Sequence, residues 1–165
     1  MKKNIKYFLF TAMIVFMTAC PFEAPFPIDE PSVKYSPAMI GKWIEESELE
    51  SETPPYYMIS DIDSYSFTVE EYTYDTDEET YTTEEYTAHL SEVGDYKFIN
   101  IYDYTMESWY FYRLDWDDPD QFSLYAVTEY IDESFDSSEE MKIFFEKYCE
   151  LSFFYQGAET YMRVE

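Results

Sequence analysis

From Ala38 onward, apolar and polar residues alternate along much of the chain, and this period of two constrains the fold more than any other feature. The alternation is clearest at Tyr65-Ser66-Phe67-Thr68-Val69. Such a pattern places successive side chains on opposite faces of a β-strand. The phase then shifts, because the next aromatic residues, Tyr72 and Tyr74, lie at even positions. This shift predicts a β-bulge near Glu70-Glu71.

Polar turn sequences separate the predicted strands. They lie at residues 75–80, at Glu92-Val93-Gly94-Asp95 and at Asp117-Asp118-Pro119-Asp120, and each contains residues that favour tight turns. The segment from Ser108 to Trp116 is apolar at both parities, which predicts a strand that is covered on both faces or presents an aromatic surface. Together these strands and turns predict an antiparallel meander.

One helix interrupts the meander near the C-terminus. Ser137 and Glu140 have the spacing of a capping box, which places the helix start near Ser138. Apolar residues then recur with helical spacing on one stripe, at Met141, Phe144, Phe145 and Tyr148. A last hairpin turning at Gly157 is expected after the helix. The predicted fold is mainly β, a curved sheet or barrel with one late amphipathic helix packed against it.

The first 19 residues have the composition of a signal peptide. Residues 1–6 carry three lysines and no acid, and residues 7–17 form an apolar run that only Thr11 interrupts. A basic start, a short apolar run and small residues before a cleavage site are typical of secretory leaders. The run is too short to cross a membrane, which requires about 20 apolar residues.

Met17-Thr18-Ala19-Cys20 resembles the lipobox of bacterial lipoproteins, although Leu is commoner at the position of Met17. The resemblance implies cleavage before Cys20 and a lipid-modified Cys20 thiol that anchors the protein in the cell envelope, at the periplasmic or surface face of the outer membrane. The alternatives are an ordinary signal peptide with a cysteine nearby by chance, and a disulfide between Cys20 and Cys149. Acyl chains on Cys20 would make the membrane the first predicted partner.

Residues 20–37 form a proline-rich segment with Pro21, Pro25, Pro27, Pro31 and Pro37. Because proline fixes φ and lacks a backbone donor, we expect an extended, poorly ordered tether that could reach up to ~50 Å. The alternative is a strap that packs along the domain. A single β-rich domain is expected over residues 38–165.

Gly41-Lys42-Trp43 in the first predicted strand looks like the G-x-W opening of lipocalin-like proteins. The resemblance covers most of the chain, and lipocalin-like domains also occur in small lipoproteins of the Bacteroidetes type. It implies an eight-stranded barrel with Trp43 at the closed end and a ligand in the interior. In the alternative interpretation Trp43 is a core aromatic residue only.

Composition excludes several functions. The chain has 36 acidic and 10 basic residues and a net charge of −26, which argues against nucleic-acid binding. Three glycines are too few for a glycine-rich phosphate loop. No nucleophile motif surrounds any serine. Among so many acids, some pairs of carboxylates will lie at catalytic separation by chance, so such pairs do not indicate a hydrolase. We therefore predict a protein that is not an enzyme and has no cofactor.

Metal sites are not indicated either. With one histidine and two cysteines, no protein zinc site is expected. His89 has the opposite parity to Ala88 and Leu90, so it is expected to face solvent. Residues 115–120 could offer oxygen ligands to calcium, although their Asp-Pro-Asp sequence is typical of a turn.

Aromatic residues supply the candidate contact face. Tyrosine and tryptophan provide rigid, amphipathic surface for binding, and the densest set, together with Trp43, is Tyr102, Tyr104, Trp109, Tyr110 and Tyr112. The alternative is that tyrosine is abundant because it favours strands. The predicted function is non-enzymatic binding of a small apolar ligand or a glycan. The alternative is an acidic interaction module for a basic protein partner, such as an immunity or envelope-assembly lipoprotein, and a carboxylate-dependent hydrolase is a third hypothesis.

Overall fold

The computed structural model describes residues 21–165, except for the side chain of Asp117, and contains nine strands and one α-helix. In chain order these are β1 (Glu23–Ala24), β2 (Gly41–Glu45), β3 (Tyr56–Asp61), β4 (Ser66–Asp75), β5 (Thr80–Val93), β6 (Tyr96–Asp103), β7 (Ser108–Asp118), β8 (Gln121–Val127), α1 (Ser138–Tyr148) and β9 (Tyr155–Val164). Short 3-10 turns lie at Pro37–Met39, Glu46–Glu48 and Ser152–Phe154.

Strands β2 to β9 form a closed antiparallel barrel of eight strands. Each strand pairs with the next one along the chain, and β9 pairs with both β8 and β2, which closes the barrel. The mainly β fold with one late helix is therefore confirmed, and the structure has the barrel rather than the open sheet. Closure removes the exposed edges that an open meander would leave.

Trp43, which belongs to β2, fills the barrel interior at one end and is fully buried. Its indole nitrogen donates to the carbonyl of Met39 at 2.9 Å, and its ring meets Phe122 edge to face with centroids 4.6 Å apart. The Arg163 guanidinium lies over the indole, 4.5 Å from its centroid. Gly41 is required here, because an added Cβ would lie 2.7 Å from that guanidinium and the backbone has a φ of +137°.

A second hydrophobic cluster lies on the outside of the barrel, under α1. The helix contributes Met141 and Phe145, and the outward side of the sheet contributes Phe98 and Phe111. Helix α1 begins as predicted, with the Ser137 hydroxyl accepting from the Glu140 amide at 3.2 Å. Strand β7 is consequently covered on both faces, which is the first of the two alternatives that its sequence left open.

The proline-rich segment packs on the barrel, which corrects the expectation of a free tether. Phe22, Ala24 and Ile28 are buried in the outer cluster, β1 pairs with β7, and Val33 forms a bridge with Leu90. Proline fixes φ but does not prevent burial of the residues between the prolines. We call residues 21–33 the N-terminal strap, and among the described residues the packed unit includes this strap as well as residues 38–165.

Two local predictions are wrong. No bulge interrupts β4, which pairs with β3 and β5 in unbroken register through Glu70 and Glu71. The aromatic residues that suggested the bulge lie on the outer face, where Tyr72 stacks on Tyr56 with centroids 4.5 Å apart. The chain also makes no hairpin at Gly157, because β9 continues through it to pair with β8 and β2.

Candidate functional site

The barrel interior holds an apolar cavity of about 310 Å³. Inward-facing side chains alternate with outward-facing ones along each strand, and seven of the eight barrel strands, β3 to β9, contribute to the wall. Its deeper part consists of buried side chains, namely Ile59, Phe67, Val69, Ile99, Phe122 and Tyr161. The volume lies at the lower end of the range for small-molecule pockets, about 300–1,000 Å³.

The cavity opens at the end opposite Trp43. Phe122 belongs both to the Trp43 contact and to the cavity wall, so Trp43 lies behind the floor of the cavity. At the other end the lining residues become half-buried or exposed, and they include the carboxylates of Glu71, Asp103 and Glu159. We call this end the cavity mouth.

Tyrosine hydroxyls hold two of the mouth carboxylates. Tyr57 donates to Glu71 Oε1 at 3.1 Å, and Tyr86 approaches Glu71 Oε2 at 3.3 Å. Tyr161 donates to Glu159 Oε2 at 2.8 Å. These hydrogen bonds fix the carboxylate oxygens at the boundary between the apolar wall and solvent.

The same carboxylates make the mouth electrostatically negative. Burial, followed by the charge of Glu71, raises the pKa of Tyr57 well above its ordinary value. Burial, followed by the charges of Glu159 and Glu71, raises the pKa of Tyr112 in the same way. Glu71 on β4 and Glu159 on β9 both raise the pKa of each of these two tyrosines. The charges of the two carboxylates therefore reach the same part of the cavity.

The structure divides the predicted aromatic face between the two sides of the sheet. Tyr110 and Tyr112 line the cavity. Tyr102, Tyr104 and Trp109 form a separate outer cluster, in which Tyr102 lies 5.0 Å from each of the other two rings. The division follows from strand parity, because neighbouring residues of β7 point to opposite faces.

Trp43 does not lie on either aromatic face. It is fully buried at the closed end and does not line the cavity. A ligand in the cavity would contact the floor residue Phe122 instead. The charged cavity residues Glu71, Asp103 and Glu159 were missed, because in a sequence with 36 acids nothing distinguishes three of them.

The expectation that His89 faces solvent is wrong. His89 does point away from the barrel interior, but the N-terminal strap covers it and leaves it 1% exposed. Its Nε2 lies 2.8 Å from the Asp29 carbonyl oxygen, and its ring meets Trp109 edge to face. Burial lowers the pKa of His89, although Asp29 opposes that shift.

A buried polar network beside His89 connects the strap to the sheet and the helix. Asn100 accepts from the Ile28 amide at 2.9 Å and donates to the Ser91 hydroxyl at 2.8 Å. Ser91 in turn donates to Asp29, whose carboxylate pairs with Lys142 of α1 at 2.6 Å. Every member has a partner, which is the condition under which a buried polar network stabilises a fold.

Acidic residues at the end of β7 and in the turn that follows it form ion pairs with arginines. Asp115 pairs with Arg113 at 3.0 Å, and Asp120 pairs with Arg163 at 3.0 Å. Within residues 21–165, no group of three or more His, Cys, Asp or Glu side chains is arranged to hold a metal ion. Cys149 is buried, and this burial raises the pKa of its thiol.

The closed eight-stranded barrel, with its late helix and its ligand-sized cavity, is a lipocalin-like fold. Comparison of the chain with protein-family models, with curated proteins and with solved structures found no match. In the part of the chain that the structure describes, no helix has the length and apolar character needed to cross a membrane.

Proposed function

We propose that this protein binds a small, largely apolar ligand inside the barrel and does not catalyse a reaction. The observation that carries the proposal is the 310 Å³ cavity with an apolar wall. A volume of that size corresponds to roughly ten water molecules, which sets the scale of the ligand at about ten non-hydrogen atoms. The interior of an eight-stranded barrel is just wide enough either to be filled by side chains or to hold one small ligand, and the cavity favours the second case here.

We further propose that a lipid on Cys20 anchors the protein in the cell envelope, at the outer membrane. Pro21 lines the cavity mouth, and Cys20 is its neighbour in the chain. Because the N-terminal strap packs on the barrel from Pro21 onward, no flexible linker would lie between such an anchor and the mouth. The ligand would then enter and leave close to the membrane surface.

Titration with 1-octanol, which has nine non-hydrogen atoms, tests the binding proposal. Ile101 lines the cavity and Ile143 is exposed on α1, so the same substitution at each position gives a matched pair. We expect Ile101→Trp to weaken octanol binding at least tenfold, and Ile143→Trp to change it less than twofold. Failure of the wild-type protein to bind octanol would favour the acidic interaction module instead.

The anchor is tested by Cys20→Ala. We expect this variant to move into the soluble fraction, while its circular dichroism spectrum and unfolding midpoint stay those of the wild type. Retention of the folded variant in membranes after the same fractionation would refute lipid anchoring through Cys20.

A further inference from the structure

The cavity mouth carries negative charge without any matching positive charge from the protein. Glu71, Asp103 and Glu159 lie there, and no Lys, Arg or His lines the cavity. The ion pairs among the described residues involve other carboxylates, those of Asp29, Asp115 and Asp120. Hydrogen bonds from tyrosine hydroxyls orient Glu71 and Glu159 but leave their charges uncompensated.

The position of these charges differs from that of the many surface acids. Most surface carboxylates are surrounded by water, and salt screens their interactions. The mouth carboxylates border an apolar cavity, where the lower local dielectric strengthens their attraction for a cation. The raised pKa values of Tyr57 and Tyr112 agree with this, because both tyrosines respond to Glu71 and Glu159.

A further polar group lies in the cavity wall. Tyr112 is half-buried and lines the cavity. A tyrosine hydroxyl both donates and accepts hydrogen bonds, so the Tyr112 hydroxyl can accept one from a polar group on a ligand that enters past the carboxylates.

We propose that the ligand is a small organic ammonium ion, with its apolar body in the cavity and its ammonium group between Glu71 and Glu159 at the mouth. This inference rests on the proposed ligand-binding function and adds the charge of the ligand. An ammonium group offers up to three donors, enough for both carboxylates and the Tyr112 hydroxyl. An anionic ligand of the same size would meet repulsion from all three mouth carboxylates.

The test compares three probes of nearly equal size and different charge: n-octylammonium, 1-octanol and octanoate, at pH 7 and low salt. The protein is residues 21–165, which contain all eight barrel strands and both hydrophobic clusters. We expect octylammonium to bind at least tenfold more tightly than octanol, and octanoate to bind most weakly. Raising the salt concentration should reduce the preference for octylammonium and leave octanol binding unchanged.

The double variant Glu71→Gln, Glu159→Gln removes two charges and keeps acceptors for the tyrosine hydroxyls. We expect it to lower the preference for octylammonium over octanol to below threefold, with the octanol Kd changed less than twofold. The control is Glu139→Gln, Glu150→Gln, which makes the same change in net charge on two exposed residues outside the cavity. If the double variant does not fold, Glu159→Gln alone, at an exposed position, should lower the preference by at least twofold.

The outcomes separate the two proposals. Equal binding of octylammonium and octanol by the wild-type protein would overturn the ammonium proposal and leave ligand binding intact. Binding of no probe would overturn both. A preference for octylammonium that falls equally in the control variant would also overturn the proposed site, because it would arise from the net charge of the protein.

Discussion

Phe22→Ala tests whether the N-terminal strap is part of the folded domain. Phe22 is 9% exposed, and its ring contacts Phe111, Phe135 and Phe145 at centroid distances of 5.8 to 6.2 Å. Truncating a buried phenylalanine costs about 3–5 kcal/mol. Since Phe22 lies beside a two-residue strand that can relax, we expect the lower value, a loss of about 3 kcal/mol in the free energy of unfolding.

The measurement is urea unfolding of residues 21–165, followed by circular dichroism and by tryptophan fluorescence. A loss of about 3 kcal/mol is a large fraction of the 5–15 kcal/mol typical of a domain. The matched control is Phe153→Ala, because Phe153 is 69% exposed and its truncation should change stability by less than about 0.5 kcal/mol. If Phe22→Ala cost no more than this control, the strap would be a free tether and the packing argument would be refuted.

Two further predictions concern the polar network beneath the strap. Asn100→Ala would leave the buried Ile28 amide without its acceptor, so we expect a loss of about 2–4 kcal/mol in urea unfolding, whereas a loss below 0.5 kcal/mol would show that the network does not stabilise the fold. His89 has a lowered pKa in the folded state, so its contribution is fully present above the unfolded-state value of about 6.5 and is lost as pH falls from there toward the folded pKa. We therefore expect the free energy of unfolding of the wild type, relative to that of His89→Gln, to fall by up to about 1.4 kcal/mol per pH unit in that interval. If the free energies of unfolding of the two proteins changed in parallel with pH, the buried, neutral state of His89 would be contradicted.

The fold could be predicted from the sequence because its signals are local. Alternation with a period of two reports which face a side chain takes, and the Ser137 capping box reports where α1 begins. What the alternation does not report is what covers each face. His89 was correctly assigned to the face opposite Leu90, but its exposure depends on the strap, whose backbone reaches it from 60 residues earlier in the chain.

The strap itself had a signal that the prolines obscured. Phe22, Ala24, Phe26 and Ile28 are apolar at every second position, which is the same pattern that identified the barrel strands. Three of them are buried and Phe26 packs against the same cluster. Proline content indicates the conformation of the backbone, whereas the spacing of the apolar residues indicates which side chains the segment can bury. In the strap, the apolar residues at every second position account for its packing on the barrel.

The cavity mouth could not be predicted, because it depends on which strands close the barrel. Glu71 and Glu159 are 88 positions apart in the sequence, and they act on the same tyrosines only once β9 pairs with β2 and β8. Similarly, Tyr72 and Tyr74 suggested a bulge only because aromatic residues were expected to face inward. They instead pack against Tyr56 and Tyr81 on the outside of the sheet.

The two hydrophobic clusters, one inside the barrel around Trp43 and one outside it under α1, explain how the barrel can keep a cavity in its interior. An unfilled apolar volume lowers stability, since the atoms that line it lack packing partners. The outer cluster compensates, because it buries residues of α1, the strap and the sheet without using the interior. A ligand that fills the cavity should raise the unfolding midpoint by an amount that depends on its concentration.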